Sequence, residues 1–124
     1  MALYVTALNA LLDTLGATPL ITHCSAHTAA ISNPTSPNEV TGGSPAYARK
    51  TISFAAASSS SMSSDGTDPV LDIPTGTTVT TIGFWNHATN QTVAAFMGQI
   101  TLSSAAVFAS QGTLTLTSVT WSAS

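Results

Sequence analysis

Short segments of alternating apolar and polar side chains, separated by turn-forming residues about every 8–12 positions, fill the chain from residue 20 onward. Thr77–Trp85 is the clearest of them, with Val79 and Trp85 on one face and Ile82 and Phe84 on the other. A period of two is typical of β-strands. The fold class we predict is mainly β: an antiparallel β-sandwich or flattened barrel of six to eight strands. Large apolar groups on both faces predict that the end of Thr77–Trp85 is buried on both sides.

The remaining segments predict shorter strands separated by loops. Loops are expected at residues 32–46 and 58–69, where turn formers are dense, and Asn86–Asn90 is expected to connect two strands of a hairpin. The alternation changes parity at Gly98, which predicts a β-bulge, and again at Thr117-Ser118, which predicts a bulge or an edge. The other predicted strands are Leu20–Ser25, Ala46–Ala57, Val70–Ile73, Thr92–Leu102, Ala105–Ala109 and Thr113–Trp121.

A single helix is predicted over residues 2–15. Gly16 provides its C-cap and Pro19 prevents continuation. Its apolar residues recur at spacings of three and four, so they share one face, which either packs in the core or meets a neighbouring chain. With 124 residues we expect one domain, with residues 1–16 as the helical segment and 19–124 as the β-sandwich. The residues of the stripe are Tyr4, Leu8, Leu11, Leu12 and Leu15.

The chain carries very few charges. Only 6% of its residues are charged, against about 25% in an ordinary soluble domain, while it contains 17 Ser and 21 Thr. Two cations cannot neutralise a run of phosphates, which excludes nucleic-acid binding by charge. Cys24 has no partner for a disulfide scaffold. Either Ser and Thr hydroxyls hydrate the surface, or other chains cover it, and we favour a homo-oligomer.

The sequence gives no sign of a membrane span or of a secretion signal. No segment reaches the ~18 consecutive apolar residues of a membrane-spanning helix. The first residues lack the basic region of a secretion signal.

Few residues suggest chemistry. On a strand, His23 and His27 lie about 13 Å apart, too far to share one zinc ion, and Cys24 faces the other way. Asp65–Asp72 contains three carboxylates and is either a calcium loop or an ordinary acidic turn. The chain contains no Gly-x-Ser-x-Gly motif and no phosphate-binding glycine loop, so we expect neither an enzyme nor a cofactor.

Sugar binding is the alternative from a different class. Aromatic rings stack on sugars, and the candidates are Trp85 with polar contacts from Asn86, His87 and Asn90. Tyr47 and Trp121 are further aromatic candidates. The other interpretation is that both tryptophans belong to the core.

A family resemblance rests on four stretches: Ala7–Asp13, Thr22–Thr28, Asn38–Lys50 and Thr77–Asn86. Together they resemble a family of small virion proteins of tailed bacteriophages, of the tail-fibre-like or minor tail type. The Ser58–Ser64 run and Cys24 depart from that pattern. The resemblance implies a structural protein without catalytic activity, made in the bacterial cytoplasm and located in the virion. Its expected partners are copies of itself, as a trimer or higher oligomer, other virion proteins and a host surface glycan. A capsid decoration protein is the alternative.

We expect the helix and the Asn38–Lys50 stretch to make the assembly contacts. Tyr47 is amphipathic and can anchor a loop at a rim. Arg49 and Lys50 are the only cations. One of them is expected to pair with Glu39 and the other to reach the Asp65–Asp72 loop, on this subunit or the next. Otherwise both are solvated rim charges.

Overall fold

The computed structural model describes residues 5–16, 21–66 and 68–122. It is mainly β, with one short helix near the N-terminus and antiparallel sheets, which confirms the predicted fold class. The elements in chain order are α1 (Val5–Gly16), β1 (His23–His27), β2 (Lys50–Thr51), β3 (Ser61–Ser63), β4 (Val70–Ile73), β5 (Thr77–Trp85), β6 (Phe96–Phe108), β7 (Gly112–Thr115) and β8 (Thr120–Ser122).

A four-stranded sheet in the order β2-β1-β5-β6 is the largest unit, and all its neighbours are antiparallel. Strands β4 and β5 begin and end where the alternation predicted them. Strand β5 lies between β1 and β6, and its residues Thr81–Trp85 are all buried. The prediction that this end of β5 is buried on both faces is therefore confirmed.

The two faces of the sheet bury different kinds of residue. Cys24, Ala26, Ile82 and Phe84 lie on one face and belong to the main apolar core. The same core includes residues of two antiparallel ribbons, β3-β8 and β4-β7, so the sheet and the ribbons enclose it from opposite sides. The other face carries Ser25, His27 and Gly83 together with the large ring of Trp85. That second face holds the candidate functional site.

Strand boundaries in the second half of the chain differ from the predictions. The predicted strands Thr92–Leu102 and Ala105–Ala109 form one continuous strand, β6. Between Val79 and Thr81 the β5–β6 register slips, so Leu102–Ala105 stand opposite Thr80 alone. A second irregularity pairs Phe84 with Gly98 and Trp85 with Phe96, which confirms the bulge predicted at Gly98. The predicted strand Thr113–Trp121 is interrupted at residues 116–119, where its alternation changes parity, and becomes β7 and β8.

Two predictions between residues 46 and 69 were wrong. Of the predicted strand Ala46–Ala57, only the two residues of β2 pair with β1. The predicted loop 58–69 contains β3, which pairs with β8. Serine has little β propensity, so nothing local marks β3, and the partner strand supplies its ladder.

The helix α1 docks on the domain through both polar and apolar groups. Asn9 Oδ1 accepts the backbone N–H of Ser60 at 2.8 Å, and Asp13 Oδ1 accepts that of Ala57 at 2.5 Å. Leu12 is buried in the core, whereas Leu11 is 56% exposed. The predicted stripe is therefore split between core and surface. Tyr4, the side chains of Leu8 and Leu15, and Pro19 lie outside what the structure describes.

Within the described ranges, no helix is both long enough and apolar enough to cross a membrane.

Candidate functional site

Arg49 forms the centre of a buried polar cluster on the second face of the sheet. Its Nε donates to Glu39 Oε1 at 2.9 Å and its Nη2 donates to Oε2 at 2.8 Å, the two-point geometry that fits a guanidinium to a carboxylate. Only 2% of the Arg49 side chain and 7% of the Glu39 side chain are exposed. The interpretation of Arg49 as a solvated rim charge is therefore wrong. We call Glu39, Tyr47, Arg49, Trp85 and Gln91 the Arg49 cluster.

The same guanidinium holds the loop between β5 and β6. Arg49 Nη1 donates to the carbonyl oxygens of His87 at 3.0 Å and Asn90 at 3.1 Å. Its Cζ lies 3.9 Å from the centre of the Trp85 ring, a close cation–π contact. Arg49 thus joins the Asn38–Lys50 stretch, the end of β5 and the following loop at one point.

The Glu39 carboxylate accepts four hydrogen bonds. Besides the two from Arg49, Tyr47 Oη donates at 2.9 Å and Gln91 Nε2 at 3.1 Å. Burial by itself would raise the pKa of Glu39, but the hydrogen bonds from Arg49 and Gln91 and the Arg49 charge outweigh it and lower that pKa. Burial and the Glu39 charge raise the pKa of Tyr47. A carboxylate has about four acceptor positions, so Glu39 is saturated and remains an anion.

A second chain of hydrogen bonds lies directly beneath this cluster. His27 Nδ1 lies 2.8 Å from the carbonyl of Pro37, which can only accept, so Nδ1 carries the proton. Nε2 is then the acceptor for Ser25 Oγ at 2.5 Å, and Ser25 Oγ accepts the Trp85 indole N–H at 2.7 Å. Ser25, His27 and Trp85 have no exposed surface. The serine and histidine therefore orient Trp85 under Arg49.

The burial of His27 predicts acid sensitivity. Burial lowers the pKa of His27 below its usual 6.5, mainly because a charged imidazole would lose hydration, although Pro37 and Glu39 oppose the shift. Above pH 6.5 the imidazole of His27 is neutral in both the folded and the unfolded state, so its protonation takes nothing from the free energy of unfolding. As the pH falls below 6.5, the unfolded chain binds a proton that the folded chain does not bind. The free energy of unfolding should then fall by up to about 1.4 kcal/mol per pH unit, until the lowered pKa is reached.

Urea unfolding between pH 7.5 and 5 measures this effect. The pKa of His23 is also lowered, mainly by burial and then by the Arg49 and His87 charges, and acts in the same direction. The lowered pKa of Glu39 acts in a separate window below pH 4.5. The variant His27→Gln should be less stable at neutral pH and show a shallower pH dependence. Equal slopes for the two proteins would contradict the assignment to His27.

Lys50 pairs with a different acid from the one that binds its neighbour Arg49. Its Nζ lies 3.5 Å from Asp72 Oδ2, and their side chains are 40% and 22% exposed. Both expected pairings therefore occur, Arg49 with Glu39 and Lys50 with an acid of the Asp65–Asp72 stretch, and both lie within one chain. Partly exposed pairs of this kind contribute about 0–1 kcal/mol.

The residues suggested for sugar binding do not form a stacking platform. Trp85 has no exposed surface, so it offers no ring face to a sugar. Asn86, His87 and Asn90 are exposed in the loop after β5. His87 Nδ1 accepts the backbone N–H groups of Thr89 and Asn90 at 3.0 and 3.1 Å, so its imidazole shapes the loop.

Neither Cys24 nor the Asp65–Asp72 stretch belongs to a metal site in the described residues. Cys24 is buried, and burial raises the pKa of its thiol to about 12, which keeps it protonated. Asp65 and Asp68 are exposed, while Asp72 lies in β4 beside Lys50. Within residues 5–16, 21–66 and 68–122 no three His, Cys, Asp or Glu side chains converge as metal ligands.

An open pocket of about 260 Å³ adjoins the Arg49 cluster. Its charged lining groups are Glu39 and Arg49, whose hydrogen bonds go to the protein itself. The rest of the lining is uncharged and includes Tyr47 together with small residues such as Gly42 and Ala48. The hydrogen bonds of the Arg49 cluster thus hold three segments of the chain together: the Asn38–Lys50 stretch, the end of β5 and the loop that follows it.

Sequence reasoning missed the Ser25–His27–Trp85 chain and the role of Gln91. The alternation of β1 and β5 places Ser25, Gly83 and Trp85 on one face, but only the register puts them together. The available signal was that Trp85 follows Gly83 on one face of β5 and that His27 follows Ser25 on one face of β1.

No protein-family model matches this sequence, and searches of curated proteins and of solved structures find no significant match.

Proposed function

We propose that this chain is a structural subunit of a tailed-bacteriophage particle. It acts by non-covalent contact with copies of itself and with other virion proteins, in the tail-fibre or minor tail position. The proposal draws on the sequence resemblance described above and on one structural observation, the distribution of charge.

The observation that carries the proposal is how few of the charged groups remain at the surface. All seven charged residues lie in the described ranges, and only Asp65 and Asp68 are exposed. Arg49 and Glu39 are buried together, and Lys50 and Asp72 are paired. Ordinary small domains keep copies apart with a surface that is roughly a quarter charged. A surface that provides so little repulsion suits a chain that is packed against other subunits.

The surface that remains is suited to close packing. Among the described residues it consists mostly of Ser, Thr and Ala side chains, with isolated large apolar groups that include Leu11, Val93 and Val107. Such a surface can be covered with little cost for removing ions from water. An assembly role needs no mobile catalytic element, and the saturated hydrogen bonds of the Arg49 cluster fit a rigid subunit.

Locating the chain in the particle tests the proposal. Particles of the phage that encodes the chain are purified and separated into heads and tails, and mass spectrometry with immunogold labelling measures the chain in each fraction. We expect a stoichiometric component of the tail fraction, with an unrelated host protein of similar abundance as the contamination control. Location on heads would replace the tail assignment by capsid decoration. Absence from purified particles would overturn the proposal.

A further inference from the structure

All three histidines of the chain lie around the Arg49 cluster. The carbonyl oxygen of His87 accepts a hydrogen bond from Arg49 at 3.0 Å. The ring of His27 stacks on Trp85, whose centre lies 3.9 Å from the guanidinium carbon. The pKa of His23 is lowered by burial and then by the charges of Arg49 and His87. Histidine is the side chain that gains a positive charge between pH 5 and 8, so mild acid adds charge beside the buried arginine.

His87 is the exposed member of the three, whereas His23 is half-buried and His27 is buried. It lies among residues 86–91, all of them exposed, which we call the 86–91 loop. Its Nδ1 lies 3.0 Å from the backbone nitrogen of Thr89 and 3.1 Å from that of Asn90. Backbone N–H groups can only donate, so Nδ1 carries no proton in the neutral ring. The loop therefore keeps its conformation only while Nδ1 of His87 acts as an acceptor.

Hydrogen bonds from two sides hold the turn of this loop. On the outer side, His87 Nδ1 accepts the N–H groups of Thr89 and Asn90. On the inner side, Arg49 Nη1 donates to the carbonyls of His87 and Asn90. A proton on Nδ1 turns the acceptor into a donor, so both outer hydrogen bonds are lost. Because these residues are exposed, the two N–H groups can then bind water.

The charges around His87 also favour release of the loop in acid. The Asn38–Lys50 stretch contributes the positive charge of Arg49, and β1 contributes His23, which gains a charge in acid as well. Glu39 is the anion of this region, and its carboxylate already accepts four hydrogen bonds from the protein. The rest of the 86–91 loop, β5 and β6 contribute no titratable side chain. A proton on His87 therefore meets like charges and an anion whose acceptor positions are filled.

We propose that His87 is a proton-operated switch that frees the 86–91 loop in mild acid while the sheet stays folded. The main apolar core lies on the other face of the sheet and does not depend on this loop. Ala88 and Thr89 form one wall of the pocket beside the Arg49 cluster. A contact made through that wall is therefore fixed at neutral pH and loosened in acid. The switch is a property of the single chain, so it does not rest on the proposed function.

Nuclear magnetic resonance of the ¹⁵N-labelled full chain between pH 7.5 and 5 tests the switch. In the wild type, the amide protons of Thr89 and Asn90 should move upfield together as the His87 ring takes up its proton. Their backbone order parameters should fall from about 0.85 to below about 0.6. His87→Asn is the matched variant, because an asparagine oxygen accepts backbone N–H groups two residues on and does not titrate. Its loop should be ordered at both pH values, and the loop of His87→Ala should be mobile at both.

His23→Gln is the control for the neighbouring histidine and should keep the transition at Thr89 and Asn90. The amide signals of β1 and β5 report whether the sheet stays folded. The switch is overturned by an ordered wild-type loop at pH 5, by a transition that persists in His87→Asn, or by an ordered loop in His87→Ala. Loss of the transition in His23→Gln, or unfolding of the sheet together with the loop, overturns it as well. None of these results bears on where the chain lies in a particle, so failure of the switch and failure of the proposed function are distinguishable.

Discussion

Replacing Arg49 with methionine is expected to lower the free energy of unfolding by about 3–5 kcal/mol. The substitution leaves the buried Glu39 carboxylate without the guanidinium that gives it two of its four hydrogen bonds. It also frees the carbonyls of His87 and Asn90 and removes the cation from the Trp85 ring. Small domains are stable by about 5–15 kcal/mol, so this is a large fraction of the total.

Urea denaturation of the wild type and three variants measures the effect. Lys50→Met is the matched control, because it removes the neighbouring cation from a partly exposed pair and should cost no more than about 1 kcal/mol. The double variant Glu39→Gln with Arg49→Met should be more stable than Arg49→Met alone, because no charge is left buried and unpaired. If Arg49→Met is no more destabilising than Lys50→Met, then the Arg49 cluster does not hold the loops together.

Gly83→Ala is expected to destabilise the protein by about 1–3 kcal/mol or more through overpacking. A Cβ at position 83 would lie 2.8 Å from His27 Nε2, 2.8 Å from Ser25 Oγ and 2.9 Å from Ile31 Cδ1. All three neighbours are buried, so none can move into solvent. The added methyl group must therefore separate Ser25 from His27 or distort β5 against β1.

The control for this prediction is Gly42→Ala. Gly42 has a φ of +84° and nothing within 4 Å of the position of a Cβ, so alanine there strains the backbone without steric overlap. We expect a cost of about 1–2 kcal/mol from that strain. Thermal unfolding measures both variants, and near-ultraviolet circular dichroism reports the Trp85 environment. That signal should change in Gly83→Ala and not in Gly42→Ala, and an unchanged signal in both would contradict the overlap at Gly83.

The parts of the fold that sequence predicts are those governed by local pattern. The bounds of β4 and β5 follow from alternation that ends at turn formers, and the bulge at Gly98 follows from a change of parity. Strand β3 has no such signal, since serine gains its place only through pairing with β8. The predicted strand Ala46–Ala57 failed because its backbone groups find other partners. Ala57, for example, donates to Asp13 on α1.

For the candidate site, the sequence predicted that the two cations form ion pairs, but it did not predict that Arg49 and Glu39 are buried beside Trp85. Two cations and a small number of acids allow few pairings, so the sequence predicted one cation with Glu39 and the other with the Asp65–Asp72 stretch. It did not predict which cation takes which partner; the structure pairs Arg49 with Glu39 and Lys50 with Asp72. Burial of Arg49 depends on the loop after β5 folding back over it, a contact between residues far apart in sequence. The position of Trp85 depends in the same way on the β1–β5 register.

The pairing of distant strands has a consequence for how the chain is made. Ala26 lies opposite Ile82, and Ser61 lies opposite Ser122. The central sheet therefore cannot form before β5 has been synthesised, and the β3-β8 ribbon cannot form before β8 has been synthesised. Topologies with such non-local contacts fold slowly, and their early, half-emerged segments are exposed to aggregation. During translation β1 can at first pair only with residues 38–40 and then with β2, and the four-stranded sheet closes only after β6 has been made.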